Sequence, residues 1–346
     1  MNSLRCAILP STTLSPLLCK SGAGPGYNGS QIGIDVSALG YSGAQSVGSV
    51  TVLDSSILNS LVGVLTAFNS TSWPATSGTL ILENIFLNKV PTAVRHYGGD
   101  VILEGSSGSM TIIGWGQGHE YTPTGGPVRF QASFTPNTRP SSLLSGANYY
   151  VRSKPQYENL TTASFQSVRS AGAMGNGITD DTSALQDAIN NATFSCKVVF
   201  FDAGTYLVTK TLLIPPGAKF VGESYSVIMS SGSYFNDTNN PKPVVQIGTP
   251  GQTGQVEWSE MIVSTQGTQM GAILIEWNLA TSVPGIPSGM WDVHAHIGGF
   301  AGSNQQISQC TTNSASSVVN KSCIVAYMTM HVTTSAAGLY MENNWL

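Results

Sequence analysis

The run S-V-R-S-A-G-A-M-G-N-G-I-T-D-D-T-S-A-L-Q-D-A, residues 167–188, constrains the fold of this chain more than any other. A glycine-rich turn leads into Asp180 and Asp181, then a helical stretch, then V-V-F-F-D-A-G-T-Y-L-V over 198–208. Ala184, Leu185, Ala188 and Ile189 share one helical face. Asp180 or Asp181 is placed to cap the first turn, where negative charge also suits the helix dipole. Elsewhere such a pair would serve as metal ligands or catalytic acids, but a cap before an amphipathic run needs no second role. The strands that follow are β-branched and broken by an A-G-T-Y corner. This order predicts the start of a right-handed parallel β-helix, with the helix covering apolar rungs and a sheet edge at its open end.

Short β-branched runs lie on both sides. Before the motif come V-G-S-V-T-V-L-D (47–54), T-L-I-L-E-N-I-F-L (79–87), G-D-V-I-L-E-G (99–105) and S-M-T-I-I-G-W-G (109–116). After it come similar runs at 198–201, 206–214, 219–222, 243–247, 256–263, 272–277, 290–294 and 324–332. Short strands with Gly, Asn and Ser between them read as solenoid rungs, although no strict repeat length emerges. Residues 117–167 lack periodicity and carry Pro123, Pro127, Pro136, Pro140 and Pro155, which predicts an extended linker. The expected architecture is all-β: two tandem right-handed parallel β-helices, both incomplete. The first occupies 1–116 and the second 168–346, joined by the linker 117–167.

Charged residues make up only 9% of the chain, against roughly 25% in average proteins. Net charge is −4 with no basic block, which argues against nucleic-acid and anionic-membrane partners. No apolar run reaches the length of a membrane span. Asn-x-Ser/Thr triplets occur at Asn28, Asn69, Asn159, Asn191, Asn236 and Asn320. Together with the low charge they predict a secreted glycoprotein, although Met1–Lys20 lacks a clear signal peptide, its apolar run being broken by Pro10 and Pro16. Cys310 and Cys323 flank a polar stretch and are expected to form a disulfide. Cys6, Cys19 and Cys196 leave an odd count, so their pairing stays open. No C-x-x-C pair exists, and His294 and His296 have no ligand partner nearby in sequence, so no metal is expected. No cofactor is expected, and a monomer is.

The strings T-L-I-L-E-N-I-F-L-N-K-V-P, I-I-G-W-G-Q-G, R-P-S-S-L-L, K-P-Q-Y, G-N-G-I-T-D-D-T, E-M-I-V-S-T-Q-G, G-A-I-L-I-E-W-N, G-M-W-D-V-H-A-H-I-G-G and S-A-A-G-L-Y-M-E-N-N-W-L occur in that order. Through them, residues 32–346 resemble the fungal exo-β-1,3-glucanases of glycoside hydrolase family 55, within the pectate-lyase-like fold. The resemblance implies release of glucose from β-1,3-glucan ends with inversion. It also implies a protein about twice this length, with the acid carboxylate beyond residue 346 and the water-holding groups in an earlier part of the first solenoid. Neither role transfers to a numbered position here, so this chain is expected to be inactive or nearly so.

Glycoside hydrolysis needs a proton donor on the leaving oxygen and a group that positions water, with carboxyls about 6.5–9.5 Å apart in inverting enzymes. Glu276, Asp292 and Glu342 sit in the family-like strings and are the best acids for a cleft. Glu342 is the one candidate for the catalytic acid, or else satisfies a turn at a rung corner. Trp291 and His294 flank Asp292, where an indole could stack on a sugar while the acid bonds hydroxyls; the plainer reading is a buried Trp beside a satisfied Asp. Two other classes stay open: a non-catalytic glucan-binding or remnant β-helix, and a pectate-lyase-like enzyme, which needs clustered carboxylates for Ca²⁺ and a base.

Overall fold

The computed structural model describes residues 16–20, 27–39, 47–68, 78–281, 285–311 and 315–346. The chain divides into two compact units, Met1–Ser153 and Lys154–Leu346.

The first unit contains β1 (Pro16–Lys20), β2 (Tyr27–Asn28), β3 (Ile32–Val36), β4 (Ser49–Leu58), β5 (Val62–Thr66), β6 (Thr79–His96), β7 (Val101–Thr122) and β8 (Gly125–Ser133). β1 and β2 pair with β4, β3 pairs with β5, and β4 and β5 both pair with the long β6, all in parallel. Alternation sets the register. Val50, Val52 and Ile57 lie over Leu80, Leu82 and Leu87, and none is more than 2% exposed. A slip of one residue would turn this whole set outward. Asp54 and Asn84, 30 residues apart, turn one corner with φ of 48° and 55°. Asn59 and Lys89 turn a second at 51° and 53°. Rungs approach closely at Gly63, where a Cβ would lie 2.6 Å from the Ala93 carbonyl oxygen.

The runs at 99–105 and 109–116 are not parallel rungs. They form one strand, β7, antiparallel to β6, and β8 is antiparallel to β7. The linker expected over 117–167 is therefore corrected at its start, because residues 117–133 lie in this hairpin. The glycines of G-W-G-Q-G explain the packing. A Cβ on Gly116 would sit 3.0 Å from Phe130, and one on Gly114 would sit 3.1 Å from the Phe134 ring, so bare backbone seats both rings.

Beyond β8 the chain is extended, with a minimal hairpin of β9 (Leu144–Ser145) and β10 (Asn148–Tyr149). Arg139 anchors this segment to the first unit, bonding Asp54 Oδ1 at 2.7 Å and Glu83 Oε1 at 2.6 Å. Its guanidinium lies 4.4 Å from the centre of the Tyr149 ring. Asn84 Nδ2 also donates to Asp54 Oδ1 at 2.6 Å, and the Tyr149 N–H to Asp54 Oδ2 at 2.8 Å. Burial pushes the Asp54 carboxyl up, but the donors from Asn84, Arg139 and Tyr149 outweigh it and hold it below the ordinary carboxylate value.

The second unit contains β11 (Phe165–Ser167), β12 (Asn176–Asp180), α1 (Thr182–Phe194), β13 (Val198–Phe201), β14 (Thr205–Val208) and β15 (Leu212–Ile214). It continues with β16 (Lys219–Ser230), β17 (Lys242–Ile247), β18 (Glu257–Thr265), β19 (Ala272–Trp277), β20 (Ser288–Ala295), β21 (Met328–Val332) and β22 (Leu339–Glu342). One sheet runs β11-β13-β16-β18-β20-β22, with β12 and β14 joined to it through β16; the other runs β15-β17-β19-β21. Every pairing in these two sheets is parallel. Parallel strands returning once per rung make a parallel β-helix. Inside, Phe201, Phe220 and Trp258 stack edge to face at 5.9 and 6.3 Å.

Helix α1 buries Leu185, Ala188, Ile189 and Ala192 in this core and packs on β11, β13 and β15. Of the two aspartates expected at the helix start, Asp180 serves the first turn and Asp181 does not. Asp180 accepts the Thr182 N–H at 3.0 Å and the Thr209 hydroxyl at 2.6 Å. Asp181, 1% exposed, makes no cap bond but turns back to the glycine-rich loop, accepting the N–H groups of Met174 and Gly175 at 2.7 and 3.0 Å.

Candidate functional site

The second unit carries a ladder of polar corners. Ser259, Trp291 and Glu342 are register partners across β18, β20 and β22, so the next residues, Glu260, Asp292 and Asn343, fall at one corner of three successive rungs. All three take left-handed backbone, with φ of 59°, 53° and 52°. Asp and Asn tolerate that region, whereas Glu does so less readily. Lys154 places Nζ between two of them, 2.6 Å from Glu260 Oε1 and 2.9 Å from Asp292 Oδ2. The Asn343 amide donates to the other Asp292 oxygen. Burial works against the Lys154 charge, but the bonds to Glu260 and Asp292 outweigh it and raise its pKa.

Beside this ladder runs a line of rings. Tyr225 turns the preceding rung at φ 61°, and its ring lies 5.4 Å from His294. The imidazole meets Trp345 edge-on at 5.7 Å. His294 and Trp345 are parallel bridge partners, and the Ala295 N–H donates to the Trp345 carbonyl at 2.7 Å. Trp345 is 65% exposed and Tyr225 44%. Burial lowers the His294 pKa, only partly offset by Asp292, so the ring is neutral at neutral pH. Tyr225 is pushed up by burial and by the charges of Asp292 and Glu260. The result is an open strip of aromatic faces edged by fixed acids, an ammonium and an amide. That combination suits a polar ligand with flat apolar faces.

The sequence-based candidates are only partly brought together. Asp292, His294 and Glu342 lie along this sheet. Glu342 is exposed, and its Oε2 accepts the Tyr340 hydroxyl at 2.5 Å. Trp291 is corrected: it is 1% exposed and cannot stack on a ligand. Its indole folds back over Gly289, where an added Cβ would lie 1.9 Å from the ring, and it meets Tyr340 at 6.1 Å. Asp292 has both oxygens committed to Lys154 and Asn343. Glu276 belongs to the other sheet, on β19, where it meets His331 Nδ1 at 3.4 Å and Asn278 Nδ2 at 3.0 Å. Lys154, Tyr225, Glu260, Asn343 and Trp345 were not singled out from the sequence. Their shared corner becomes visible only once rungs of unequal length are set in register.

Cys310 and Cys323 are joined, with Cα atoms 5.7 Å apart. Cys196 is an exposed free thiol. Cys6 and the Cys19 side chain lie outside the described residues, as do Asn69 and the Asn28 side chain. Asn159, Asn191 and Asn320 are exposed and Asn236 is half-buried. Among the described residues, no helix is long and apolar enough to cross a membrane.

Residues 165–284 match the family described as rhamnogalacturonase A/epimerase, pectate lyase-like. That match agrees with the stacked parallel rungs of the second unit, a pectate-lyase-like parallel β-helix fold. Over most of its length the chain is similar to parts of longer fungal proteins. It is 48% identical over 307 residues to a glucan 1,3-beta-glucosidase of Cochliobolus carbonum, covering 88% of this chain and 38% of that protein. It is 33% identical to a probable glucan endo-1,3-beta-glucosidase of Arthroderma benhamiae, covering 87% of this chain and 45% of the relative. It is 34% identical to the non-secreted LysM effector LysM19 of Penicillium expansum, covering 88% and 24%. The chain thus spans less than half the length of each of these relatives.

Proposed function

We propose that this chain binds β-1,3-glucan and serves a glycoside hydrolase activity that releases glucose from glucan ends with inversion. The observation that carries this reading is the exposed line Tyr225–His294–Trp345 beside the Lys154–Glu260–Asp292–Asn343 ladder. Rings of this kind stack on the C–H faces of pyranoses, while fixed acids and amides bond their hydroxyls. The glucanase names of two relatives support the choice of β-1,3-glucan. Glu342, the exposed carboxyl on β22, is the first residue to test as proton donor. The disulfide, the exposed Asn159, Asn191 and Asn320, and the scarcity of charge support a secreted, glycosylated protein; its proposed state is a monomer and its proposed substrate fungal cell-wall glucan.

The test is titration with laminarihexaose, cellohexaose and oligogalacturonate, together with glucose release from laminarin. Binding of laminarihexaose in preference to the other two is expected. Preference for oligogalacturonate would overturn the substrate class. Near-normal laminarin hydrolysis would show that the acid lies within these residues, and Glu342→Gln would then be expected to abolish it while preserving binding.

A further inference from the structure

Lys154 stands outside every strand, yet its ammonium is the cation that two corner acids share. Left without it, Glu260 and Asp292 would face each other as like charges on adjacent rungs, an arrangement that disfavours both. Asp292 in turn holds the Asn343 amide, and Asn344 is pinned to the same strand. Asn344 Nδ2 donates to the Met290 carbonyl at 2.9 Å, and the Val293 N–H donates to Asn344 Oδ1 at 3.1 Å. Trp345 follows directly.

The first unit repeats the device. Asp54 and Asn84 occupy left-handed corners of adjacent rungs, the Asn amide donates to the Asp, and Arg139 supplies the cation. There the acid is shut in, with Asp54 and Arg139 side chains 8% and 13% exposed. In the second unit the acids are more open, at 40% for Glu260 and 19% for Asp292, and they border exposed rings. One corner design is thus closed in one unit and open in the other.

Resting on the glucan-binding reading above, we propose that Lys154 is a positioning residue of the glucan site. Its ammonium balances Glu260 against Asp292, keeps Asp292 turned to Asn343, and thereby sets Trp345 beside His294. Lys154 need not touch the sugar.

The experiment compares laminarihexaose affinity and melting temperature for the full chain and for Lys154→Met, Lys154→Arg, Lys154→Met/Glu260→Gln and Trp345→Ala. Lys154→Met should weaken affinity about tenfold, equivalent to about 1.4 kcal/mol. Lys154→Arg should restore affinity, because it returns a cation, and the double variant should recover part of it, because one of the two like charges is gone while the Gln amide can still hydrogen-bond at that corner. Loss in Lys154→Met with no recovery in either companion would assign the effect to packing and overturn the proposal. Unchanged affinity in Lys154→Met, with Trp345→Ala weakened, would overturn it while leaving the site in place. Unchanged affinity in Trp345→Ala would remove the site itself, and the proposal with it. Should Lys154→Met fail to fold, Lys154→Arg and the double variant decide: wild-type affinity in Lys154→Arg with less than a tenfold loss in the double variant supports charge balance, and a tenfold loss in both refutes it.

Discussion

Asp54 shows how much one side chain can tie together at a rung corner. It accepts bonds from Asn84, Arg139 and the Tyr149 N–H, and its carboxyl is held below the ordinary value. A carboxyl with a depressed folded pKa stabilises above its unfolded value of about 3.9 and loses that contribution as pH falls through the folded value. The melting temperature should therefore fall as pH drops below about 4, and Asp54→Asn should flatten part of that fall in a pH series. Arg139→Met leaves the buried Asp54 without its cation. It should cost about 1–3 kcal/mol by chemical denaturation, below the range for fully buried pairs because both partners keep some exposure. Trp291 and Trp345 show what sequence conveys at this scale. Both stood in strings distinctive enough to mark, but the left-handed turn at Asp292 breaks simple alternation, and Gly289 makes the space that hides Trp291. Which indole faces outward was settled by that glycine. Gly289→Ala should expel the ring and destabilise by about 1–3 kcal/mol, measurable by thermal melting and by increased quenching of tryptophan fluorescence.

Among the elements, α1 was legible almost residue by residue, since its buried face follows from 3.6-residue periodicity alone. Its cap was not, because Asp180 and Asp181 look alike in sequence and only the fold of the 172–177 loop separates them. Ile189→Ala, at a fully buried position on this helix, should cost about 2–4 kcal/mol by denaturant titration. The β6–β7–β8 arrangement was the least legible. S-M-T-I-I-G-W-G reads as one rung and the residues from 117 on as linker, whereas in the structure the glycines of G-W-G-Q-G let one antiparallel strand carry phenylalanine rings against its backbone. The disulfide followed from a polar stretch bounded by two cysteines. Cys310→Ser/Cys323→Ser should lower stability by up to about 3 kcal/mol. Non-reducing peptide mapping should show one linked peptide containing both residues.

For the whole molecule, the corner acids lie far apart along the chain and meet only through register, which is why their partnership was hidden. The first unit keeps a 30-residue spacing between partners. In the second, the spacing is 32 residues from Val256 to Ser288 and 51 from Asp292 to Asn343. A solenoid transmits stability mainly between neighbouring rungs. Arg139→Met should therefore reduce amide hydrogen-exchange protection in β4 and β6 while leaving β18 and β20 unchanged. Uniform loss across all four strands would show a single cooperative body.

The jump from 32 to 51 residues has a practical side. The added length leaves the stack after β20 and is closed by the Cys310–Cys323 bond before the chain returns as β21. Backbone pairing holds the rungs in line however long that excursion is, so its length and composition are free to drift while the spine beneath stays the same. Ser316, exposed within the excursion, is a natural graft point. A foreign binding peptide inserted near Ser316 should be displayed by the scaffold without any retuning of its interior.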